Sequence, residues 1–366
     1  MRLLINASGN LQGGGLQVAY SFISECVSFG ENEYHIVCSD RLHNLFIDCA
    51  FPSNFFIYKI NQASFLTIGR VLSQIELKVK PDIVFSIFGP VYWRPKHRHV
   101  MGFAQGYYIY FDSPFWKQIS FLRRLTIYIK KIIHFFYLRR DADVFITETV
   151  DATNRLKKII PNKQYYTVSN TFGKHFYSYI PSDKYLLETK IGMFKLVSIC
   201  GFYKHKNLLI LKKVVDVLKS RGYDNILFYL TIKEADYNLY FEERYHCNIK
   251  TLGTIKPTEC PQVYFESDAV IVPSLLECFT ANYPEAMIME KPILTSDLSF
   301  AKSICGNAAL YFDPLDAEDI ANSIIKIVLN KDLVQLLIDK GKDKINSFPS
   351  ARERAEQYLD ILKRNI

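Results

Sequence analysis

The chain has 366 residues, of which 49% are hydrophobic, and it carries a formal net charge of +8. This length suits two domains with separate cores, and the abundance of apolar residues, including 27 Phe and 24 Tyr, excludes a disordered chain. The basic charge is compatible with an anionic membrane surface, nucleic acid or a phosphate-bearing substrate. Only the distribution of the charge can distinguish these partners.

The eight cysteines are scattered along the chain, and no Cys-x-x-Cys pair indicates a zinc or redox site. We therefore expect reduced thiols. No uninterrupted run of about eighteen apolar residues occurs, and the short apolar run after Met1 is too brief for a signal-peptide core. These features predict a cytoplasmic protein.

The first predicted element is a strand at residues 2–7, followed by a glycine-rich loop and a helical pattern from Leu16 to Phe29. The loop ends in Gly13, Gly14 and Gly15, which allow a close approach of the backbone to a phosphate group. Its spacing matches neither the dinucleotide fingerprint nor a P-loop. Taken alone, the loop is equally consistent with a flexible turn.

Strand and helix patterns alternate through residue 170, which predicts a parallel sheet covered by helices on both faces. Further strands are predicted at 34–38, 55–60, 81–87, 100–104, 143–147 and 165–170, and helices at 65–80 and 151–160. Two loops between these strands are rich in aromatic and polar side chains. One contains Trp93 and Arg94, and the other contains Gln105, Gly106 and Tyr107.

The segment 114–140 combines apolar residues at helical spacing with cations that recur about every seven residues. The cations and the interfacial tryptophan are Trp116, Lys117, Arg123, Arg124, Lys130 and Lys131, together with residues of the last turn. This composition predicts an amphipathic helix that lies on anionic lipid headgroups. An ordinary sheet-packing helix with a basic outer side is the alternative. No recognition-module pattern accompanies the charge, so nucleic acid is not an expected partner.

Residues 171–190 lack periodicity and are interpreted as a linker. A second strand–loop–helix unit follows, with a strand at 194–200, a polar loop containing Lys204, Lys206 and Asn207, and a helix at 208–222. Another buried strand is predicted at 226–232. The last helices are predicted at about 317–330, 332–346 and 350–363.

The most informative stretch begins with the apolar run Ala269–Val272, which predicts a buried strand that ends at Pro273. Pro284 fits the first position of the next helix, and Glu285 then lies at the favourable end of the helix dipole. Glu277 precedes Glu285 by eight positions, so seven residues separate the two carboxylates. Loops at the carboxyl ends of parallel strands converge on one crevice, which predicts a ligand site here.

This stretch resembles the signature of the retaining glycosyltransferases of family 4, the glycosyl transferases group 1, whose mark is Glu, seven residues, Glu. Glu277 and Glu285 match it, and the flanking residues 253–275 and 291–296 are similar to the family's run into and out of the site. Without the flanks, Glu285 would be only a helix-dipole residue and Glu277 a solvated loop charge.

The resemblance implies the GT-B architecture, an α/β fold with two Rossmann-like parallel-sheet domains that face a cleft. It implies an acceptor-side domain at residues 1–170, a linker at 171–190 and a nucleotide-sugar-binding domain at 191–346. Residues 347–366 would form a helix that crosses back to the first domain.

The resemblance also implies the roles of individual residues. Glu277 and Lys206 are the expected catalytic residues, and Gln105, Gly106, Tyr107, Trp93 and Arg94 are expected on the acceptor side. The expected donor-binding residues are Gly13, Gly14, Gly15, Lys204, Lys206, Asn207, Glu277, Phe279, Thr280, Ala281, Asn282 and Glu285.

The chain departs from the family pattern at several positions. Cys278 and Thr280 replace glycines of the motif, Phe202 and Tyr203 occupy the region of a usual arginine, and Gln105 replaces a usual histidine. These replacements predict a reshaped sugar pocket, and they leave one cation at the diphosphate unassigned, for which Lys204 is the candidate substitute.

The activity implied by the resemblance is transfer of a hexosyl-type sugar from a nucleoside diphosphate sugar to a glycan or lipid-linked glycan acceptor. The reaction would retain anomeric configuration, need no metal or cofactor, and serve surface polysaccharide assembly of the O-antigen or capsule kind. The protein would then bind the inner face of the cell membrane peripherally. Two alternatives remain. One is a catalytically idle GT-B module that binds a nucleotide sugar or a partner without transfer, and the other is a sugar-nucleotide epimerase, which would have no use for a membrane helix.

Overall fold

The computed structural model describes residues 1–9, 13–60, 65–188 and 192–366, and the chain forms two compact units. Unit 1 comprises Met1–Phe111, Ile119–Asn170 and Pro349–Ile366, and unit 2 comprises Asp112–Gln118 and Thr171–Phe348. Each unit contains one parallel sheet, which confirms the α/β class with two Rossmann-like domains.

In the described part of unit 1, seven strands pair in the order β3-β2-β1-β4-β5-β6-β7, and all neighbours are parallel. Five of the six β1 residues are buried, as expected for a central strand covered on both faces. The strands are β1 Arg2–Ala7, β2 Glu33–Ser39, β3 Phe55–Ile60, β4 Ile83–Ser86, β5 His99–Phe103, β6 Val144–Thr147 and β7 Gln164–Thr167.

Helices connect these strands, and several begin at side-chain caps. Ser39, Ser120 and Thr149 each accept a hydrogen bond from a backbone N–H of the helix that follows. The helices are α1 Gly13–Cys26, α2 Asp40–Asn44, α3 Phe65–Val79, α4 Phe121–Asp141 and α5 Val150–Ile159. The predicted strands and helices of this unit are confirmed in type, with shifts of a few residues at their ends.

In unit 2, the six strands of the described residues pair in the order β10-β9-β8-β11-β12-β13. The strands are β8 Phe194–Ser198, β9 Ile226–Leu230, β10 Ile249–Thr251, β11 Ala269–Val272, β12 Ile293–Ser296 and β13 Leu310–Phe312. The helices are α6 Ile210–Ser220, α7 Glu234–Tyr240, α8 Cys260–Glu266, α9 Asn282–Ile288, α10 Ser299–Cys305, α11 Ala317–Leu329 and α12 Lys331–Ile345.

The last helix, α13 Ala351–Lys363, belongs to unit 1, although its sequence follows unit 2. A capping box between Ser350 and Glu353 starts the helix. Tyr358 packs edge-on against Phe22 of α1 with ring centroids 5.4 Å apart. Burial of this apolar face in the core of unit 1 explains why the helix returns to the first sheet.

The segment 114–140 is not one helix. Pro114–Gln118 forms a 3₁₀ turn that belongs to unit 2, where the Ser113 hydroxyl donates to Leu275 O at 2.5 Å. Helix α4 starts only at Phe121, because Ser120 caps it by accepting from Arg123 N. Trp116 and Lys117 therefore do not share the helix of the other predicted membrane residues.

The segment predicted as a linker is fastened to helix α8 of unit 2 over most of its described length. Glu266 accepts hydrogen bonds from the amides of Leu186 and Leu187 at 2.6 to 3.0 Å, and Gln262 accepts from Ser182 N at 3.0 Å. The lack of periodicity reflects this attachment through backbone groups, which needs no repeating side-chain pattern. Thr189 and Lys190 lie outside the described residues.

Among the described residues, no helix is both long and apolar enough to cross a membrane.

Candidate active site in unit 2

The predicted carboxylates lie on the chain segment that follows the central strand β11, whose four residues are all buried. In the sheet, β11 lies beside β8, and the chain leaves these two strands toward opposite edges, from β8 to β9 and from β11 to β12. The carboxyl ends of β8 and β11 are therefore a topological switch point. Open α/β sheets bind ligands at this position.

Lys206 and Glu277 form an ion pair on the two loops that leave this switch point. The Lys206 ammonium donates to Glu277 Oε1, and the Ser274 hydroxyl donates to the same oxygen at 2.8 Å. Glu277 is only 8% exposed. Burial by itself lowers the pKa of Lys206, but the adjacent Glu277 carboxylate outweighs it, and the pKa is raised. Lys206 therefore carries its charge inside the site.

Backbone contacts hold the two loops together. Leu275 N donates to His205 O at 2.7 Å, within the 3₁₀ turn Lys204–Lys206. Asn207 closes that turn in the left-handed conformation with φ 56°, and its side-chain amide donates to Pro314 O at 2.7 Å. Asn207 therefore anchors the loop that carries Lys206. Burial lowers the pKa of His205 to about 4, so this imidazole is neutral at physiological pH.

Aromatic residues occupy the position where the resembled family usually has an arginine. The Phe202 ring stacks on Tyr240 with centroids 4.6 Å apart and packs against the core of unit 2. The Tyr203 ring is exposed and stacks on His205 at 5.6 Å. Lys204 is exposed beside them. Positive charge in this loop is thus carried by Lys206 and Lys204.

Glu285 lies on helix α9, half-buried and without a cationic partner in the described structure. The Tyr264 hydroxyl of α8 donates to Glu285 Oε2 at 2.9 Å. Burial raises the pKa of Glu285 to about 7, and the hydrogen bond from Tyr264 opposes this rise. The two motif glutamates therefore differ in charge state: Glu277 is paired with a cation, whereas Glu285 titrates close to neutral pH.

The loop between the two glutamates is packed into unit 2. Helix α9 begins at Asn282, two residues before Pro284, because proline is also tolerated deeper in the first turn, where amides lack helical partners. The side chains of Thr280 and Asn282 are buried, and the Phe279 ring meets Phe348 edge-on. We therefore expect backbone groups, rather than side chains, to make the predicted donor contacts of Phe279, Thr280, Ala281 and Asn282.

Gly13, Gly14 and Gly15 open helix α1 in unit 1, next to the carboxyl end of β1. A Cβ atom on Gly13 or Gly14 would meet no atom within 4 Å, and Gly13 has φ +60°. Open space over these two glycines suits the approach of a ligand. Asn10, Leu11 and Gln12 of the same predicted loop lie outside the described residues.

Sequence reasoning missed a chain of mostly buried polar side chains that starts just after β1. The Ser8 hydroxyl donates to Asn6 Oδ1 at 2.7 Å, Asn6 Nδ2 donates to Ser86 Oγ at 3.2 Å, and Ser86 Oγ lies 2.8 Å from His99 Nε2. Burial lowers the pKa of His99 to about 4, so the imidazole stays neutral. No spacing in the sequence signals this network, because its members come from three separate strands.

Gln105, Gly106 and Tyr107 follow β5 at the carboxyl edge of the sheet, as predicted for acceptor-side residues. Trp93 and Arg94 lie at the other edge. Arg94 donates to the carbonyls of Arg140 and Asp141 at the end of α4, just before β6 begins. Trp93 is 3% exposed and donates to Ser73 Oγ at 3.0 Å. The position at the carboxyl edge that the acceptor-side prediction requires is therefore met by Gln105, Gly106 and Tyr107, and not by Trp93 and Arg94.

Among the described residues, no group of three His, Cys, Asp or Glu side chains could hold a metal ion. The sequence does contain one Asp-x-Asp triplet, Asp141-Ala142-Asp143. Arg140 pairs with Asp141, and Asp143 pairs with Arg94 and accepts from His99 N at 3.0 Å. These contacts give the triplet a structural role at the amino edge of the sheet.

Residues 191–344 match the family model described as glycosyl transferases group 1. This range covers most of unit 2, including Lys206, Glu277 and Glu285. No curated protein sequence matches the chain.

Solved structures match the chain over its whole length. A glycosyltransferase from Rickettsia africae is 14% identical, with a TM-score of 0.75 over 99% of this chain and 98% of that chain. HepE from Anabaena, in complex with UDP-glucose, is 14% identical with a TM-score of 0.74, and 100% of each chain is covered. WaaG, a glycosyltransferase involved in lipopolysaccharide biosynthesis, is 14% identical with a TM-score of 0.72 over 99% of each chain. These similarities show that the fold is that of GT-B glycosyltransferases.

Proposed function

We propose that the protein is a glycosyltransferase that moves a hexosyl-type sugar from a nucleoside diphosphate sugar to a glycan or lipid-linked glycan. The observation that carries the proposal is the Lys206–Glu277 ion pair at the switch point of unit 2, with Glu285 on the adjoining helix. The family match over residues 191–344 and the UDP-glucose bound in a protein of the same fold support it.

The reaction transfers a glycosyl group between two oxygens. The bond from the anomeric carbon to the phosphate oxygen breaks, the acceptor hydroxyl oxygen bonds to that carbon, and its proton leaves with the nucleoside diphosphate. Negative charge grows on the leaving diphosphate, so a buried ammonium aimed at it lowers the barrier electrostatically. Lys206 fills this role, and its raised pKa keeps it protonated. The motif's resemblance to the retaining family supports retention of configuration and a reaction without metal.

The two glutamates take separate tasks. Ser274 and Lys206 both bind Oε1 of Glu277, and we assign Oε2 to the hydroxyls of the donor sugar. Glu285 accepts hydrogen bonds from the ribose hydroxyls, because an ionised carboxylate can accept both hydrogens of a vicinal diol. Removing Lys206 or Glu277 should impair transfer, whereas removing Glu285 should first impair donor binding.

A thermal-shift panel of UDP, GDP, CDP, ADP and their common sugar conjugates tests the donor site. A ligand at a hundred times its dissociation constant stabilises by about 2.7 kcal/mol. We expect one nucleotide series to raise the melting temperature of the wild type and to lose most of this effect in Glu285→Ala. Glu290→Ala, which alters an exposed glutamate just beyond α9, is the matched control and should respond like the wild type. Flat curves for every nucleotide, with both proteins folded, would contradict the donor site and favour an idle module that binds a partner instead.

We also propose that helix α4 docks the protein on an anionic bilayer. Its exposed face is apolar over about four turns, with Phe121 and Leu122 about three-quarters exposed (75% and 74%). The exposed apolar face continues through Leu125, Tyr128, Ile129, Ile132, Ile133 and Phe136. The exposed cations Arg123, Arg124 and Lys130 flank this face. Apolar residues beside basic ones match the boundary between acyl chains and anionic headgroups.

Flotation with vesicles of phosphatidylcholine and phosphatidylglycerol tests this docking. Each cation near the surface contributes about 1 kcal/mol, so changing Arg123, Arg124 and Lys130 to Gln should weaken binding on the order of 100-fold. A matched control changes three exposed lysines of unit 2, Lys213, Lys326 and Lys331, to Gln. Equal flotation of both triple variants would contradict docking through α4. Docking on the inner face of the cell membrane fits synthesis of a surface polysaccharide on a lipid carrier.

The catalytically idle GT-B module is the second candidate, favoured only by the departures from the family motif at Phe202, Tyr203 and Cys278. A sugar-nucleotide epimerase on a similar scaffold is the third candidate. An epimerase converts the nucleotide sugar with no acceptor present. Isomerisation of the stabilising nucleotide sugar without release of nucleoside diphosphate would therefore select the epimerase.

A further inference from the structure

Helix α4 is also attached to the segment 105–111, which contains the acceptor-side residues. His134 lies on the inner side of α4 and binds two tyrosines through its two ring nitrogens. Its Nδ1 lies 2.9 Å from the hydroxyl of Tyr108, and its Nε2 lies 2.8 Å from the hydroxyl of Tyr92. Both tyrosine rings meet the imidazole edge-on, with centroids 5.3 and 5.7 Å away.

Two further contacts attach the segment to helices α4 and α5. Lys131 of α4 lies 3.6 Å above the ring of Phe111. Arg155 of α5 lies 4.5 Å from the ring of Tyr110. Tyr108, Ile109 and Tyr110 are buried, whereas Gln105 and Tyr107 are partly exposed. Gln105 and Tyr107 are therefore positioned by the neighbouring residues of the segment, which contact α4 and α5.

The amino-terminal half of α4 has little packing to stabilise it. All residues from Phe121 to Ile133 are exposed except the half-buried Ile127 and Lys131, and the fully buried side chains of the helix begin at Phe135. Isolated helices are marginal in water, and burial of an apolar face supplies most helical stability in proteins. Covering the exposed apolar face of α4 should therefore order this helix as far as His134.

We propose that His134 couples helix α4 to the segment 105–111, so that docking of α4 on an anionic bilayer orders the acceptor-side residues. This inference rests on the proposed membrane docking and on the proposed acceptor role of Gln105, Gly106 and Tyr107. Burial and the nearby charge of Lys130 lower the pKa of His134, which keeps the imidazole neutral at physiological pH. One ring nitrogen then donates and the other accepts, so both tyrosine contacts persist.

Hydrogen exchange with and without phosphatidylcholine–phosphatidylglycerol vesicles tests the coupling without knowledge of the acceptor. The amides of Tyr108, Ile109 and Tyr110 are suitable reporters, because each donates to a carbonyl of the 3₁₀ turn. Coupling between sites usually amounts to a factor of five or more. We expect vesicles to slow exchange of these three amides about fivefold or more in the wild type.

Three variants isolate the part played by His134. His134→Phe keeps an aromatic ring and removes both hydrogen bonds, and Tyr108→Phe removes only the bond to the segment. Both should still float with vesicles and show slower exchange in α4, but without the slowing at Tyr108, Ile109 and Tyr110. Tyr92→Phe keeps the bond between His134 and Tyr108, so it should behave like the wild type.

The outcomes separate this inference from the docking on which it depends. Wild-type protein that floats but shows unchanged exchange at residues 108–110 would overturn the coupling and leave docking intact. Equal slowing in the wild type, His134→Phe and Tyr108→Phe would also overturn it. Absence of the wild type from the floated fraction would overturn both docking and coupling.

Discussion

The hydroxyl of Tyr264 donates to Glu285 Oε2 at 2.9 Å, so the second glutamate of the motif is hydrogen-bonded to a neutral phenol. Glu277, by contrast, forms an ion pair with the ammonium of Lys206. Two glutamates at this spacing occur in many helices, so the spacing alone does not distinguish them. Their different hydrogen-bond partners make Glu277 and Glu285 chemically different. The pKa of Glu285 is raised to about 7, which makes its charge sensitive to pH in the physiological range.

We predict that nucleotide-sugar binding strengthens as pH rises through about 7, because only ionised Glu285 accepts both ribose hydrogens. Titration calorimetry between pH 5.5 and pH 8.5, a span of about three units around that pKa, should show this rise in the wild type. Glu285→Gln should bind weakly with little dependence on pH. A wild-type affinity that is flat across the span would contradict the assignment.

The same pKa predicts the opposite trend for the unliganded fold. The protonated carboxyl is favoured in the folded state, so its stabilising effect is complete below the ordinary glutamate pKa of 4.5 and is lost as pH rises through about 7. The loss is at most on the order of 3 kcal/mol. Denaturant unfolding should show a smaller loss in Glu285→Gln. Tyr264→Phe removes the opposing hydrogen bond and should move the transition to higher pH.

Breaking the ion pair at one side should destabilise unit 2 more than removing it entirely. Lys206→Met leaves the Glu277 carboxylate buried without its cation, at a cost of about 3–5 kcal/mol. The double variant Lys206→Met with Glu277→Gln should regain part of this stability in denaturant unfolding. Both variants should release nucleoside diphosphate about 100-fold or more slowly than the wild type, because the ammonium is missing. Recovery of turnover in the double variant would exclude Lys206 from the chemistry.

Alanine substitutions in the glycine-rich loop should separate ligand contact from folding. Gly14→Ala meets open space and favours helix α1, so stability should rise by up to about 1 kcal/mol. Nucleotide-sugar binding should nevertheless weaken if this amide contacts the donor phosphates. Gly13→Ala forces a Cβ into φ +60° and should cost about 1 kcal/mol. Gly30→Ala, also open and outside the loop, is the control, and equal binding by Gly14→Ala and Gly30→Ala would contradict the contact.

Glu266→Ala should release the segment that joins the two units. Its carboxylate accepts from the amides of Leu186 and Leu187, and hydrogen bonds to charged groups contribute about 1.5–3 kcal/mol. We expect faster hydrogen exchange of these amides and earlier proteolysis near residue 186. Glu243→Ala, which alters an exposed glutamate elsewhere in unit 2, should leave both unchanged. Unaltered exchange in Glu266→Ala would show that other contacts hold the segment.

Local patterns predicted most strands and helices because the forces that set them act over a few residues. The run Ala269–Val272 is a buried strand as predicted, and Phe55–Ile60 also matches its predicted bounds. The sequence also predicted that Glu277 lies on the loop after this strand and that Glu285 lies in the first turn of the next helix, as the structure has them. The helix predicted over 114–140 failed at its start, since the cap at Ser120 and the attachment of Ser113 to Leu275 depend on partners that periodicity does not register.

The sequence by itself determined the α/β class, the alternation of elements, and the motif that joins Glu277 to Glu285. Hydrophobic periodicity and turn residues carry that information, because each is read within one element. Tertiary structure alone decided that Lys206 meets Glu277, that Tyr264 supports Glu285, and that Arg94 lies at the amino edge of its sheet. These contacts join residues 21 to 71 positions apart, and the free energy that brings them together comes from packing whole sheets rather than from local preference.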